Sequence, residues 1–566
     1  MILAAALLAV SPALAPIRDA YLELYFRTFP TAAVQAGRHD HDRELEHLTP
    51  EVLGRWLAEN KRTRRSLAPW LKPSPWTTED DRLDAEALAA QIDREVHDLA
   101  VRRRPRTDPL YWTEILGNAD VFLLIRDDRP EEERLAAVRA RTLLIPRLAA
   151  DARSAMARTP RSEIAPELCR IASGQAQAGA AFFRDGLPKF APADAGLRRA
   201  GRRAADVLDR LEKFFDRLAH EATGSPRLGA DYAATFRLST GWPDSPEIVL
   251  AEAERDLLAK KREAALYGRS VWDQIFPGKE APADDTTLLR SLFARAAEDR
   301  AKSTEELVDD YRNLVSRLET FLREKDIITL PDPLTLWSGP SPGFFVGQSV
   351  GGIYAAGPYS PDAKTLWFLP TPPDSATPGE KDAFFRDFNH HFNVMITPHE
   401  TLPGHYVQLK YAARSPHKVR ALFADRPFVE GWGTFCERLI LDQGWGGALD
   451  RIAHLKKQME NIARTIADIR VHTHAMSRDD LIRFAREDAL QDDQFAGNMW
   501  MRSITSAPQL TFYYLGYREV RGLFDEVRAA RGADFRLREF MDGMMRLGPV
   551  PIRHSRALLG LADGSR

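Results

Sequence analysis

The amino-acid sequence predicts a mainly α-helical protein with a small β-sheet placed directly before a candidate metal site. Apolar residues recur at three- and four-residue spacing over most of the chain, which is typical of amphipathic helices. Between residues 326 and 373 this pattern gives way to β-branched and aromatic runs bounded by Gly, Pro and Ser. Eight of the 14 histidines then fall between His390 and His474. We expect two helical lobes that enclose a deep cleft.

Composition limits the class of protein. The 566 residues are 44% hydrophobic and 28% charged, values of a folded soluble chain. The net charge is −2, and lysines and arginines are spread along the chain, so no nucleic-acid partner is predicted. Two cysteines, Cys169 and Cys436, exclude a disulfide framework and a cysteine-rich zinc module. A bound metal would therefore need histidine and carboxylate ligands.

Residues 1–15 resemble a short signal peptide, with an apolar run from Ile2 to Val10 followed by Ala-Leu-Ala. This predicts a periplasmic or secreted protein. The alternative is a helix start in a cytoplasmic protein, because no basic residue precedes the run and Pro16 follows the expected cleavage point. The run is too short to span a bilayer, so no stable membrane insertion is predicted. No cysteine follows it, so a lipoprotein anchor is not expected.

Residues 16–325 form a predicted helical region. Val207, Leu211, Phe214 and Leu218 illustrate its apolar spacing. The predicted helices cover 80–103, 130–158, 162–185, 195–222, 245–268 and 285–325.

Residues 326–566 form the predicted catalytic region, expected to make one intertwined unit with the first. Its small sheet is predicted from three runs, Ile327–Leu330, Gly351–Tyr354 and Thr365–Leu369. The second run contains Gly352 and Tyr354, which we expect at a sheet edge that aligns a peptide backbone by β-addition. Helical spacing returns at Lys381 and continues to about residue 528.

The first candidate for chemistry is the segment Ile396–Tyr406, which reads ITPHETLPGHY. It begins like the zinc-peptidase motif HExxH, in which two histidines four residues apart share a helix face and the glutamate activates water. Here Pro403 occupies the position of the second histidine, and the next histidine is His405. Six residues turn an ideal helix by about 240°, so both rings could meet one ion only if the helix breaks.

Pro403 and Gly404 supply such a break, because proline lacks a backbone N–H and glycine tolerates unusual dihedral angles. Thr397 is the predicted N-cap, with Glu400 at the capping-box position. We expect a first turn that carries the His-Glu pair, a bulge, and a second segment that presents His405. The alternative is a helix corner with two surface histidines.

Two glutamates follow on one predicted helix, Glu430 and Glu437 in the segment FVEGWGTFCER. They are seven residues apart and share a face that is otherwise apolar. A carboxylate on a buried face needs a partner, which is often a metal. For Glu430 the alternative is an ordinary salt bridge. For Glu437 a structural partner is the plainer interpretation, and support of a metal ligand is the functional one.

Asp468 and His472 lie four residues apart and share a helix face. An aspartate that orients a histidine suits support of a metal ligand or a hydrogen-bond donor to the transition state. A plain surface pair explains the spacing equally well.

Three tyrosines, at positions 513, 514 and 517, lie in one predicted helix. A tyrosine hydroxyl aimed at a developing oxyanion is a common partner of zinc in peptide hydrolysis, and Tyr513 is the candidate here. Gln509 and Tyr517 are candidates for substrate binding, and Arg518 for binding a substrate carboxylate. An aromatic core stripe is the alternative.

With these residues in place, the chain resembles a bacterial family labelled domain of unknown function 885, which is similar to the gluzincin zinc metallopeptidases. The likeness covers about residues 17–560. Its main carriers are HETLPGH at 399–405 against the signature HExxPGH, EGWG at 430–433 against EGWA, and Asp468 with His472 against D-x-G-x-H. Three further blocks contribute: TAAVQAGRH at 31–39, GADY at 229–232, and 508–516 against PGQALSYKIG.

Three positions depart from the family pattern. Arg470 stands where glycine is usual, Ala507 precedes Pro508, and Tyr406 stands where many relatives have a second histidine. The last departure weakens any role for that neighbour and leaves His405 unaffected.

The resemblance implies a large gluzincin-like helical architecture and one Zn²⁺ per chain, bound by His399, His405 and Glu430. Glu430 follows His405 by 25 residues (430 − 405), about the separation of the third gluzincin ligand. Glu400 would be the base that activates water, and Tyr513 or His472 would donate to the oxyanion. The substrate would be a short peptide.

Two other functions fit the same sequence. One is a protein that binds peptides without cleaving them, and the other is a zinc hydrolase of a non-peptide amide. The sequence carries no signal for an oligomeric state.

Overall fold

The computed structural model describes residues 14–74, 77–341, 352–373 and 375–561. The prediction of a mainly helical protein with a small sheet is confirmed, since these residues form 26 α-helices and three β-strands. No helix among them has the length and apolar character needed to cross a membrane.

The helices before the sheet are α1 (Ala15–Thr28), α2 (Pro30–Gln35), α3 (Pro50–Leu67), α4 (Glu79–Val96), α5 (Arg104–Thr107), α6 (Leu110–Asn118), α7 (Val121–Ile125), α8 (Glu131–Thr142), α9 (Ile145–Ala157), α10 (Pro166–Ala181), α11 (Ala195–Glu221), α12 (Tyr232–Thr240), α13 (Pro246–Ile275), α14 (Asp285–Ala296) and α15 (Thr304–Glu324). The strands are β1 (Leu336–Pro340), β2 (Gly352–Tyr354) and β3 (Thr365–Leu369). The helices after the sheet are α16 (Pro378–Asp387), α17 (His390–Glu400), α18 (His405–Arg414), α19 (Lys418–Leu422), α20 (Arg426–Asp442), α21 (Ala448–Thr473), α22 (Arg478–Glu487), α23 (Asp493–Ser506), α24 (Phe512–Arg531), α25 (Leu537–Arg546) and α26 (Ser555–Leu558).

Two predicted long helices are each divided in the structure. The expected helix at 130–158 forms α8 and α9, with Pro146 in the first turn of the second helix. The expected helix at 285–325 forms α14 and α15, because the Ser303 hydroxyl accepts a hydrogen bond from the backbone N–H of Glu306 and caps a new start. Apolar spacing continued across both breaks and concealed them.

The sheet is mixed, with the order β1–β3–β2. Strand β1 is parallel to β3, and β2 is antiparallel to it. The strand predicted at Ile327–Leu330 is wrong, since the first strand begins at Leu336. Ile327, Ile328 and Leu330 instead pack with Leu322 into an apolar cluster at the end of α15, so their run of large apolar residues reflects burial.

The predicted boundary near residue 325 falls between α15 and β1, yet apolar clusters cross it. One cluster joins Tyr232 and Val249 of the first region to Met459 and Ile466 of α21. Another joins residues of α1, α3 and α4 to Val419 and Phe423 at α19. The two regions therefore share apolar clusters across this boundary, and their division into domains stays a prediction.

The first described residues belong to this packed body. Leu14 is 1% exposed and lies in the cluster with α1, α3 and α4. Helix α1 begins at Ala15, with Pro16 in its first turn, a position that tolerates proline. The apolar run Ile2–Val10 of the predicted signal peptide lies outside the described residues.

Candidate metal centre

Helix α17 carries His399 and Glu400 in its last turn. Its N-cap is Asn389, whose side-chain oxygen accepts a hydrogen bond from the N–H of Phe392 at 3.1 Å. The prediction that Thr397 caps the helix is therefore wrong. Thr397 lies inside the helix and its hydroxyl donates to the Asn393 carbonyl at 2.7 Å.

Pro398 is tolerated inside α17 because another part of the chain supplies the missing donor. A proline at this position leaves the carbonyl of Val394 without its helical partner. The indole N–H of Trp445 donates to that carbonyl at 3.0 Å. The helix consequently continues through the proline and delivers His399 one residue later.

The predicted break between the two histidines is present. Helix α17 ends at Glu400 and α18 begins at His405. A Cβ on Gly404 would lie 1.9 Å from the carbonyl oxygen of His399, so only glycine permits this close return of the chain. The indole N–H of Trp432 donates to the Pro403 carbonyl at 2.9 Å and holds the connecting segment.

The break brings three predicted ligands together. Ligand atoms of His399, His405 and Glu430 all lie within 4.8 Å of one another. Oε2 of Glu430 is 3.7 Å from Nε2 of His399 and 3.6 Å from Nε2 of His405. The two imidazole rings stand almost perpendicular, with centroids 4.6 Å apart. Both Nε2 atoms therefore face one carboxylate oxygen.

The residues of this centre perturb one another's protonation. Burial raises the pKa of the Glu430 carboxyl, but contacts with His399 and His405 hold it well below its usual value. Burial lowers the pKa of His399, but the carboxylates of Glu430, Glu437 and Glu400 raise it to about 10.

Glu437 and Gly433 fix the ring of His399 from the side of α20. The buried Glu437 carboxylate lies 2.7 Å from Nδ1 of His399 and accepts its proton, so Nε2 is the nitrogen that faces the centre and would bind a metal after losing its own proton. A Cβ on Gly433 would lie 2.8 Å from the imidazole atoms, so the ring packs directly on the helix backbone. Glu437 thus contacts His399, and its role in supporting a metal ligand stays a prediction.

Glu400 and Tyr311 lie beside the centre. The charge of Glu400 contributes to the raised pKa of His399, which places the carboxylate near that ring. Burial, Asp310 and then Glu400 raise the pKa of Tyr311, a residue of α15 whose ring meets Trp367 edge-on at 5.0 Å. Glu400 is half-buried in the last turn of α17, directly after His399.

Tyr513 approaches the centre from α24. Burial and the charge of Glu430 raise the pKa of its hydroxyl. Nη2 of Arg502, on α23, donates to that hydroxyl at 3.0 Å. The guanidinium carbons of Arg464 and Arg502 lie 4.9 and 5.5 Å from the ring centroid.

Comparison with known proteins places the chain in a family. The family model described as "Bacterial protein of unknown function (DUF885)" matches residues 30–559. The chain belongs to the DUF885 family. No curated protein matches it.

Two solved structures share the fold of this DUF885 chain. A "putative lipoprotein of unknown function" from Shewanella oneidensis is 24% identical, with a TM-score of 0.79 over 97% of this chain and 100% of its own. A "putative lipoprotein" from Colwellia psychrerythraea is 14% identical, with a TM-score of 0.80 over 97% of this chain and 98% of its own. The whole architecture therefore recurs at low sequence identity.

His472 is not available as an oxyanion donor in the DUF885 chain. Its Nδ1 accepts from the backbone N–H of Leu228 at 3.0 Å, and its Nε2 donates to the Ser503 carbonyl at 2.9 Å. The ring also stacks on Tyr232, with centroids 5.0 Å apart. Burial lowers the pKa of His472 to about 4. Both nitrogens are engaged by the backbone, an arrangement that does not favour the predicted catalytic role.

The sequence spacing suggested that Asp468 orients His472, but the structure gives Asp468 a different partner. Its Oδ1 accepts a hydrogen bond from the hydroxyl of Tyr232 at 2.6 Å. Burial raises its pKa to about 7, against the opposing effects of Tyr232 and Arg502. Asp468 is a fully buried link between α12 and α21.

The remaining predicted residues lie in different surroundings. Gln509 is half-buried in the turn before α24, directly after the cis Ala507-Pro508 bond. Burial raises the pKa of Tyr517, which is flanked by the charges of Arg438 and Arg521. Arg518 pairs with Glu252 and also contacts the Tyr514 hydroxyl at 3.2 Å, so it is already engaged.

Strand β2, which contains Gly352 and Tyr354, lies at one edge of the sheet order, as expected. Tyr354 turns toward the first region, where its ring lies 5.9 Å from Phe122 and 5.4 Å from Phe368. Gly351, also in the predicted strand, lies outside the described residues. The edge position is present, and its use in peptide binding stays a prediction.

Sequence reasoning missed Arg502, Tyr311 and Trp445. Arg502 and Tyr311 lie in helices without a recognisable motif, and each reaches the centre from a distant part of the chain. Trp445 lies just after α20, the helix that contains EGWG. Its role depends on Pro398, which lies 47 residues earlier (445 − 398). An unexplained tryptophan after that helix was the one available signal.

Proposed function

We propose that this protein is a zinc-dependent hydrolase that cleaves amide bonds in short peptides. The convergence of His399, His405 and Glu430 within 4.8 Å carries the proposal. It has the donor set of a catalytic zinc centre, two imidazoles and one carboxylate, which leaves a fourth position open. Gluzincin-like architecture, with a cleft that admits short peptides, is part of this proposal.

The observed spacing fits zinc. In a tetrahedral centre with bonds of about 2.0–2.2 Å, neighbouring donor atoms lie about 3.3 Å apart. The distances from Glu430 Oε2 to the two Nε2 atoms are 3.7 and 3.6 Å, so small side-chain shifts complete the fit. The proton that Glu437 holds on Nδ1 of His399 also leaves Nε2 free as the ligand atom.

Glu400 is the proposed base. When bound, zinc supplies a Lewis acid that polarises the scissile carbonyl and acidifies water. Glu400 takes one proton from the attacking water as its oxygen bonds to the carbonyl carbon. The same carboxyl then returns that proton to the amide nitrogen as the C–N bond breaks. Tyr513, aligned by Arg502, donates to the oxygen on which negative charge develops.

A metal and activity assay tests this proposal. Metal analysis should give close to one zinc per chain, and the protein should hydrolyse short peptides in a chelator-sensitive way. Glu400→Gln should keep zinc and lose at least about 100-fold in hydrolysis rate, the usual scale for a missing general base. Full activity of this variant would rule out Glu400 as the base. Peptide binding that is insensitive to a chelator, without hydrolysis, would instead favour a protein that binds peptides without cleaving them.

An extracytoplasmic location is the second part of the proposal. It is supported by the two structural relatives, each described as a putative lipoprotein, and by the leader-like residues 1–15. Sequencing the N-terminus of the mature protein from a membrane-free cell-envelope fraction tests it. An intact Met1 in a cytoplasmic fraction would contradict it.

A further inference from the structure

Arg502 is a partly buried cation with one side-chain hydrogen-bond partner among the described residues. Its guanidinium donates to the uncharged hydroxyl of Tyr513 at 3.0 Å. Among the described residues, no carboxylate oxygen lies within 4.0 Å of it. A guanidinium carries five N–H donors, and a desolvated charge normally gains a paired anion or several acceptors. Most of the hydrogen-bonding capacity of Arg502 therefore remains for another group.

Other buried arginines in the chain show the usual arrangement. Arg420 pairs with the carboxylates of Asp80 and Asp84. Arg141 donates to four backbone carbonyls, and Arg126 donates to three. Arg502 lacks such a set of acceptors.

Arg502 approaches the proposed metal centre through Tyr513, to whose hydroxyl it donates at 3.0 Å. Tyr513 lies on α24, which packs directly on α20 beside Glu430, since a Cβ on Gly431 would lie 2.2 Å from the backbone of Gly516. Arg464, the other cation over the Tyr513 ring, is already paired with Glu460 at 2.5 Å. Among the described residues, Arg464 therefore has a carboxylate within 4.0 Å and Arg502 has none.

We propose that Arg502 binds the free C-terminal carboxylate of the peptide, which would make the protein a carboxypeptidase-type hydrolase. This inference rests on the proposed function. A carboxylate presents two oxygens in the plane that matches the guanidinium fork, and such pairs are strong when water is excluded. With the scissile carbonyl at the metal ligands, a carboxylate held at Arg502 must belong to a residue close to the cleaved bond. Short peptides with free C-termini are therefore the substrate class.

Binding to an inactive protein tests this inference without relying on turnover. The probes are an N-acetylated tripeptide and its C-terminal amide, titrated calorimetrically into zinc-loaded Glu400→Gln protein. The acid should bind at least about 30-fold more tightly than the amide, since a buried charged pair is lost with the amide. Adding Arg502→Met should remove this difference by weakening the acid alone, and Arg502→Lys should restore part of it.

Arg483→Met is the matched control. Arg483 lies on α22, its side chain is 60% exposed, and it pairs with Asp480 outside the centre. The acid-to-amide preference should be unchanged in this variant, and every variant should retain one zinc per chain.

Three outcomes would overturn the inference. Equal or undetectable binding of acid and amide would exclude a carboxylate receptor, and equal weakening of both by Arg502→Met would assign Arg502 a structural role. An amide peptide with an acidic side chain that binds as tightly as the acid would assign the receptor to side-chain carboxylates. Failure of the proposed function looks different, because the acid preference would persist while the zinc-loaded parent hydrolysed neither peptide.

Discussion

At the scale of single residues, the centre depends on small side chains as much as on its ligands. Gly433 lets the ring of His399 lie against the backbone of α20, and Glu437 on the same helix orients the ring through Nδ1. Ring position and tautomer are therefore set from one helix. The residue types in HETLPGH and EGWG follow from this packing, since Gly404 and Gly433 occupy positions where a Cβ would overlap His399.

Gly433→Ala should weaken zinc binding. The added Cβ would lie 2.8 Å from the His399 ring, closer than carbon atoms pack, so the ring must move away from Glu430. We expect a loss of zinc affinity of about 10- to 100-fold, the scale measured when ligand orientation is disturbed. Competition with a chromophoric chelator measures it.

The matched control is Gly522→Ala on α24, where a Cβ meets no atom within 4 Å. This variant should bind zinc as the parent does and gain about 0.5–1 kcal/mol in unfolding free energy, because alanine favours a helix. Equal zinc affinity in both variants would show that the contact with His399 is unimportant.

Asp120 provides a pH prediction remote from the metal ligands. It is 3% exposed, and burial raises its pKa from 3.8 to about 7, against the opposing effects of Arg141 and Thr142. Folding thus favours the protonated form. Below the pKa of Asp120 in the unfolded state, the residue makes no ionisation-dependent contribution to stability. Its contribution becomes unfavourable as pH rises from about 4 to 7.

As pH rises from 4 to 8, the unfolding free energy of Asp120→Asn should fall less than that of the parent protein. The difference should grow with pH and level off above pH 7, at no more than about 4 kcal/mol, since one pKa unit is about 1.4 kcal/mol. Urea unfolding at several pH values measures it. Asp185→Asn, at an exposed position, should follow the parent profile. A parallel shift of the Asp120→Asn curve at every pH would contradict the assignment.

At the scale of elements, the sequence predicted the features that depend only on residues adjacent in the chain. The helix break at Pro403-Gly404 was predictable because both residues act on their own backbone. The course of α17 through Pro398 was not, since it depends on Trp445, which is distant in sequence. The same reason explains why Asp468 and His472, paired by spacing, each bind partners from remote segments.

Trp445→Phe tests how α17 is held. The change keeps the aromatic bulk but removes the N–H that donates to the Val394 carbonyl, which then remains buried without a partner. The unfolding free energy should fall by about 1–3 kcal/mol. Trp337→Phe is the control. Because Trp337 is 39% exposed, its replacement should lower the unfolding free energy much less. Equal small losses in both variants would show that the helix tolerates Pro398 unaided.

At the scale of the whole molecule, a buried ionic network joins the first region to the second. Arg420 of the short helix α19 is 1% exposed and donates to Asp84 at 2.5 Å and to Asp80 at 2.7 Å, both associated with α4. His417 adds a 3.1 Å contact to Asp84, and Arg420 also reaches the Leu547 carbonyl. The segment that follows α18 is thereby fixed to the N-terminal helices.

Arg420→Met should lower the stability of both regions together. It leaves two buried carboxylates without their cation, which typically costs about 3–5 kcal/mol. Because the apolar clusters cross the boundary near residue 325, we expect one unfolding transition at a lower temperature rather than two. Calorimetry, together with near-ultraviolet circular dichroism, measures the transition and its cooperativity.

Arg438→Met is the control for this network, because Arg438 is 23% exposed and pairs with the half-buried Asp442. The unfolding free energy of this variant should fall by less than about 1 kcal/mol, the usual contribution of a solvent-accessible ion pair. Two separated transitions in Arg420→Met would mean that the regions fold independently and that the network alone couples them. A single transition at lower temperature would instead assign their coupling to the shared apolar interior, with the metal centre depending on the packing of the first region.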